Sequence, residues 1–226
     1  PPYLSLSERM WYYAFRILCG AIFFFLVFPL VVIIPLSFNA VPFFTFTKEM
    51  LAFDPAGYSL KWYEDFFTNL NWQGAVQNSL IIAIFSTLIS TTLGTLAALG
   101  LSRAQMPYRT LIMSILISPM IVPLIISAAG MFFFYSRIGI QGTHIAVILA
   151  HAALGTPFVV ITVTATLSGF DNNLIRASSS LGASPSTTFF KVIVPLITPG
   201  VISGALFAFI TSFDAVVVVL FVGSYR

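Results

Sequence analysis

Apolar residues gather along this chain in long continuous blocks, with none of the strict alternation that marks a half-buried strand. Five blocks are long enough to cross a bilayer as helices, which takes about 20 residues: Phe15–Phe38, Asn78–Leu101, Thr110–Phe134, Ile145–Leu167 and Leu196–Val222. A helix satisfies its own backbone in hydrocarbon, whereas an open strand does not. Strands of a membrane barrel would read as about ten residues of alternating polarity, and no such pattern occurs. The expected fold is all-α, a polytopic membrane helical bundle. Its parts are a tail over 1–14, a first span over 15–38, an aromatic segment over 39–77, and a core over 78–226 holding spans two to five.

Composition sharpens this picture. The 226 residues are 58% hydrophobic and 8% charged, with a mean hydropathy of +1.00, whereas soluble domains carry roughly 25% charged residues. A net charge of +3 is too small to suggest nucleic acid. One cysteine, Cys19, and two histidines supply neither an intramolecular disulfide nor a metal cluster.

Charge also orients the spans. With the N-terminus in the cytoplasm, the inner segments hold Arg9, Arg16, Arg103, Arg109, Arg176 and Lys191, and the outer ones Lys48, Lys61, Arg137 and Arg226. Outside, Glu49, Asp54, Glu64 and Asp65 offset the cations; inside, only Glu8 and Asp171 do. The excess of inner Arg and Lys follows the positive-inside rule. Five spans starting inside leave Arg226 outside, so a sixth helix is expected beyond it. Tyr58, Trp62, Tyr63 and Trp72 in the outer segment are residues that settle at membrane interfaces; a docking surface for an external partner is the other reading.

Two spans carry small residues four apart. These are Ser86, Ser90, Gly94, Ala98 and Ser102 in the second, and Gly200, Gly204, Ala208 and Ser212 in the fifth. Such spacing lets helix backbones approach closely, so both are assigned to helix packing.

The polar passage "RASSSLGASPSTTFFKVIVPLITPG", Arg176 to Gly200, stands between two apolar runs. Asp171 or Asn172 caps a first short helix that includes Leu174, Arg176, Ala177, Ser178 and Leu181. Gly182 then takes the left-handed C-terminal position that glycine adopts without steric cost. After Ala183, Ser184 is an N-cap and Pro185 a first helical residue. A second helix follows through Phe189, Phe190, Val192 and Ile193, and Pro195 and Pro199 are expected to bend it into the fifth span. The product is a rigid bent helix pair over 171–195 projecting below the membrane.

This spacing resembles the cytoplasmic signature of bacterial ABC importer permeases, Glu-Ala-Ala, three residues, Gly, then about nine residues to Ile-x-Leu-Pro. Arg176-Ala177-Ser178 stands at the triplet, Gly182 at the glycine and Ile193-Val194-Pro195 near the end. Arg176 replaces the initial Glu and Ser178 the second Ala. "NSLIIAIFSTLISTTLGTLAALGLSR" resembles the start of the permease core and "FAFITSFDAVVVVLFV" its fifth helix. The resemblance covers roughly residues 77–226, and by length and motif is greatest to the second permease subunit of spermidine/putrescine-type importers.

The resemblance implies a multi-pass subunit of the bacterial inner membrane that forms the pathway with a second permease. It also implies two copies of an ATP-binding subunit, with their ATP and Mg, and a periplasmic substrate-binding protein. The 171–195 segment would be the coupling loop that docks the ATPase. The sequence supports one half of this by itself. A phosphate-binding loop needs Gly-Lys-Ser/Thr, and none of Lys48, Lys61 and Lys191 follows a glycine. No catalytic residue or cofactor is therefore assigned to this chain.

Asp214 is the one acid inside an apolar run, and an intramembrane carboxylate is a functional hypothesis by default. Two residues after Ser212, it lies ~200° further round the helix, away from the small-residue contact. With Thr211, Phe213 and His151 it forms the candidate substrate pathway; the alternative is a structural carboxylate bonded to neighbouring groups. Ala215 stands where polyamine-type relatives often carry a second acid. His144 and His151 lie seven apart on nearly one face, as satisfied buried histidines or as a proton relay. Pro119 and Pro123 are expected to kink the third span.

The cargo expected is a polyamine or related small amine, with opines or small anions open as alternatives. A channel-like membrane protein or enzyme would use Asp214 and the histidines but has no nucleophile–base pair at helical spacing. A proton-coupled secondary transporter would use Asp214 and show inverted repeats or broken helices, and neither is visible in the sequence.

Overall fold

The computed structural model describes residues 5–103, 105–171 and 173–223. The chain divides between Gly74 and Ala75 into two compact units. Asn172 and Arg226, named above as a cap and as the outer end of the chain, lie outside the described residues. Among the described residues the regular structure is helical, apart from one isolated antiparallel bridge between Asn39 and Tyr58.

In the first unit, α1 runs Leu6–Leu36, so it starts well before Phe15. The cause is a capping box. Ser5 accepts from the Glu8 N–H while the Glu8 carboxylate accepts from the Ser5 N–H at 2.8 Å, satisfying amides that would otherwise be orphaned. The aromatic segment is folded rather than loose. It carries α2 (Lys48–Leu51), a 3-10 turn at Pro55–Gly57 and α3 (Lys61–Thr68). Asn39, 2% exposed, gathers the chain around itself. Its Nδ2 donates to Phe43 O and Thr45 O at 2.9 and 2.7 Å, and its Oδ1 accepts from Val41 N–H. The aromatic residues bond inward with their polar tips. Trp62 Nε1 donates to Asn39 O, Tyr58 OH to Met50 O, and Tyr63 OH shares a 2.7 Å bond with Ser37 Oγ.

Next come α4 (Leu70–Leu101), α5 (Arg109–Ile121), α6 (Leu124–Arg137) and α7 (His144–Ser168). They are followed by α8 (Asn173–Ser180), α9 (Pro185–Thr188), a π turn (Phe189–Ile193), α10 (Val194–Asp214) and α11 (Val216–Val222). Among the described residues four helical stretches are long and apolar enough to cross a membrane: Leu6–Leu36, Leu70–Leu101, His144–Ser168 and Pro185–Asp214.

Two expected spans are broken. The third is two helices bent by 102° at Val122–Pro123. Pro123 has no N–H to continue the ladder, and Val122 takes the extended backbone (ψ 134°) that a residue before proline prefers. Pro119 stays inside α5 without breaking it. The fifth breaks at Ala215, whose N–H reaches only Ser212 O, at 3.4 Å. Broken helices are thus present where the sequence showed none. Pro195 and Pro199 do not interrupt the helical stretch, which continues over Pro185–Asp214. A π turn at Phe189–Ile193, in which the Val194 N–H donates to Phe189 O, precedes Pro195 within this stretch.

The core of the second unit is a set of parallel layers on α7. Gly94 of α4 and Gly204 of α10 both face Val159 of α7; one layer on, Ser90 and Ala208 face Gly155; the next joins Ser86, His151 and Ser212. Near the other end, Gly200 meets Thr162 and Thr166, and Ala98 packs with Val159 and Val163. Side chains four apart on each helix stack one above another, so these layers repeat at four-residue steps. Ser102, last of the α4 series, is exposed and outside them. α11 closes a second cluster with α6 and α7 through Ala128, Tyr135, Val147, Val218 and Val222.

Candidate functional site

Three places carry the residues singled out by the sequence. The first is the 171–195 segment. Asp171 Oδ1 accepts from the Asn173 N–H at 2.9 Å and opens α8. The far end of α8 is a Schellman cap: Gly182 N–H donates to Ser179 O at 3.0 Å and Ala183 N–H to Ser178 O at 3.1 Å. This geometry needs a left-handed residue, and Gly182 has φ +81°. Ser184 then accepts from the Thr187 N–H at 3.2 Å, with Pro185 first in α9. The two short helices are tied by Ser178 Oγ and Thr188 Oγ1, 2.8 Å apart, with Thr188 buried. Ser178 is therefore a bracing group inside the corner. Leu174, Arg176, Ala177, Gly182, Ser184 and Pro185 are exposed, and Leu181 stands out most, at 87%.

The second place is the end of α10. Thr211 is half-buried, Phe213 is exposed and stacked on Phe209 at 5.9 Å, and Asp214 is exposed. Ser212 is buried on the opposite side, as the helical rotation requires. The Asp214 carboxylate has no hydrogen bond or ion pair with any described residue, which disfavours a structural role within this chain. It is also the last residue before the break at Ala215, where α10 runs out of amide partners for its final carbonyls. An acid at a helix interruption facing away from its own bundle is equipped to meet a cation.

The third place lies where α7 meets α4 and α10. His151, 2% exposed, sits in α7 with Nδ1 2.8 Å from Ser212 Oγ, and Ser86 Oγ donates to Ser212 Oγ at 2.9 Å. Ser90 adds a bond to Ala152 O at 3.0 Å. His151 is thus held from one side, while its Nε2 is buried without a partner. His144, by contrast, is exposed, so the two histidines do not share an environment. Among the described residues no three His, Cys, Asp or Glu side chains converge as metal ligands.

Sequence reasoning missed that Ser212 is the polar partner of both His151 and Ser86. Both serines were assigned to close packing, because a four-residue period of small residues shows the contact and not its hydrogen bonds. Gly94, Gly155 and Gly204 complete the frame: an added Cβ would lie 2.5–2.7 Å from an atom of the neighbouring helix at each.

Comparison with known proteins places this arrangement. Residues 90–226 match the family described as binding-protein-dependent transport system inner membrane component. The chain is 32% identical to the spermidine/putrescine transport system permease protein PotC of Haemophilus influenzae, over 89% of this chain and 75% of that one. It is 28% identical to the putrescine transport system permease protein PotI of Escherichia coli K12, over 88% and 71%. A crystal structure of a bacterial ABC transporter involved in import of the acidic polysaccharide alginate superposes with a TM-score of 0.67 at 16% identity, covering 94% of this chain and 74% of that one. That likeness is one of fold.

Proposed function

The chain belongs to the binding-protein-dependent transport inner-membrane components, the permeases of ABC importers rather than enzymes, and from that premise we propose that it conducts a polyamine across the bacterial inner membrane. The observation that carries the substrate class is similarity over most of the chain to permeases named for spermidine and putrescine. Asp214, without a partner among the described residues and exposed at the break of the fifth span, supports it, since a polycation is drawn to a carboxylate in a low-dielectric surround.

Family membership implies a second permease, an ATPase and a binding protein as partners. In our reading the 171–195 segment is the contact for the ATPase. The Schellman corner, the proline-started α9 and the Ser178–Thr188 bond make it stiff, and α9 runs through the π turn into α10. A push on Leu181 would therefore be delivered along α10 to Ser212 and Asp214. The N-terminus lies in the cytoplasm, which puts the segment on the ATP side.

Uptake of labelled spermidine into proteoliposomes holding the assembled transporter, binding protein and internal ATP tests the reading. ATP-dependent accumulation that unlabelled putrescine competes away is expected. Accumulation of an opine or a small anion in place of polyamine would overturn the substrate assignment.

A further inference from the structure

A cavity of about 810 Å³, within the size range of small-ligand sites, lies at the end of the second unit where α4 and α7 stop. Its wall is apolar: Leu96 and Leu99 of α4, Leu167 of α7, and Phe189 and Ile193 of the π turn. Two basic residues line the same space, Arg103 just past α4 and Arg176 on α8. Among the described residues no acidic side chain lines it, and Asp171, close in sequence, spends its carboxylate on the Asn173 N–H. Neither arginine side chain has a hydrogen bond or ion pair with a described residue.

Two unpaired cations beside one hydrocarbon wall call for an anion that carries its own apolar part. A small free anion would satisfy the guanidiniums and leave the wall in water. An uncharged apolar molecule would do the reverse. An anionic phospholipid does both, because guanidinium binds phosphate oxygens in bidentate fashion and acyl carbon covers apolar surface. Basic pockets between membrane helices suit such headgroups, and the bilayer supplies them at the ends of spanning helices.

We propose that this cavity is an anionic-phospholipid site, with Arg103 and Arg176 on the lipid phosphate. It goes beyond the transport reading and rests only on the chain being a membrane protein. The bound lipid joins the ends of α4 and α7 to the 171–195 segment, so headgroup charge becomes part of how that segment is held.

The test uses the assembled transporter in nanodiscs of phosphatidylcholine with a rising share of phosphatidylglycerol. Retained phosphatidylglycerol is read by native mass spectrometry. Arg103→Gln and Arg176→Gln are each expected to weaken retention about fivefold, and the pair about thirtyfold, from the attraction of one surface cation to anionic lipid. Arg103→Lys should keep most of it, retention of phosphatidylcholine, whose choline offsets its phosphate charge, should change much less, and excess inorganic phosphate should not displace the lipid. Unchanged retention in the double variant overturns the proposal. So does displacement by inorganic phosphate, which would mark a free-anion site. Loss of the ATP-binding subunit from Arg103→Gln at unchanged lipid retention also overturns it, because an acidic protein surface would then fill the cavity.

Discussion

Replacing Gly204 by alanine plants a methyl group in a closely packed layer of the bundle. The new Cβ would lie 2.5 Å from Thr162 Oγ1, 2.8 Å from Val159 Cα and 3.3 Å from Val159 Cβ. Thr162 can swing away only by giving up its bond to Phe158 O at 2.9 Å. Val159 Cα is backbone and yields only if α7 and α10 separate by several tenths of an ångström. Overpacking of this kind costs about 1–3 kcal/mol. Gly130 of α6 is the control, since an added Cβ there meets nothing within 4 Å and alanine favours a helix interior over glycine by about 0.5–1 kcal/mol. Thermal unfolding of the purified subunit in detergent, followed by circular dichroism, separates the two. Gly204→Ala should lower the midpoint by several degrees, at roughly 3 °C per kcal/mol for a chain of this length, and Gly130→Ala should leave it level or raise it. Equal midpoints would refute the layered packing of α10 on α7.

Three further outcomes follow from the same geometry. Ser212→Ala removes the hydroxyl between Ser86 and His151 and should destabilise by about 1–3 kcal/mol, with a double-mutant cycle against His151→Ala showing coupling; additive effects would contradict the bond. Gly182→Ala meets no steric obstacle but forces alanine to φ +81°, at about 1–2 kcal/mol. Substrate-stimulated ATP hydrolysis by the assembled transporter should fall, and fall less for Gly182→Asn, which tolerates that conformation better. Asp214→Asn should cut polyamine uptake at least tenfold while leaving the thermal midpoint unchanged, since its carboxylate has no partner among the described residues; normal uptake with normal assembly removes Asp214 from the pathway.

Much of this fold could be read from periodicity. The glycine and serine series on α4 and α10 mark the faces that meet α7, and Gly182 with Ser184-Pro185 marks the corner between α8 and α9, because each depends on a local steric rule. The extent of α1 was also legible, in the Ser5–Glu8 capping box, but Glu8 and Arg9 read as a polar tail. The breaks were harder. Pro119 and Pro123 both interrupt the same apolar run, yet only Pro123 ends a helix, and a proline's presence alone does not say which of two will do so. At Ala215 no glycine or proline signals the break at all. The alanine follows Asp214 in an unbroken apolar run, and the packing of α11 against α6 and α7 redirects the chain. The Ser86–Ser212–His151 bonds were hidden for a similar reason, since they join residues more than sixty apart in the chain.

The most direct measurement concerns the exposed tip of the 171–195 segment. In a Cys19→Ser background, Leu181→Cys supplies one thiol at the corner between α8 and α9. In the assembled transporter it should cross-link to the ATP-binding subunit with a short bifunctional reagent, in a yield that changes when nucleotide is added. A thiol at Leu181 that stays fully reactive to a water-soluble maleimide in the complete complex, with no cross-link to any companion chain, would contradict the account.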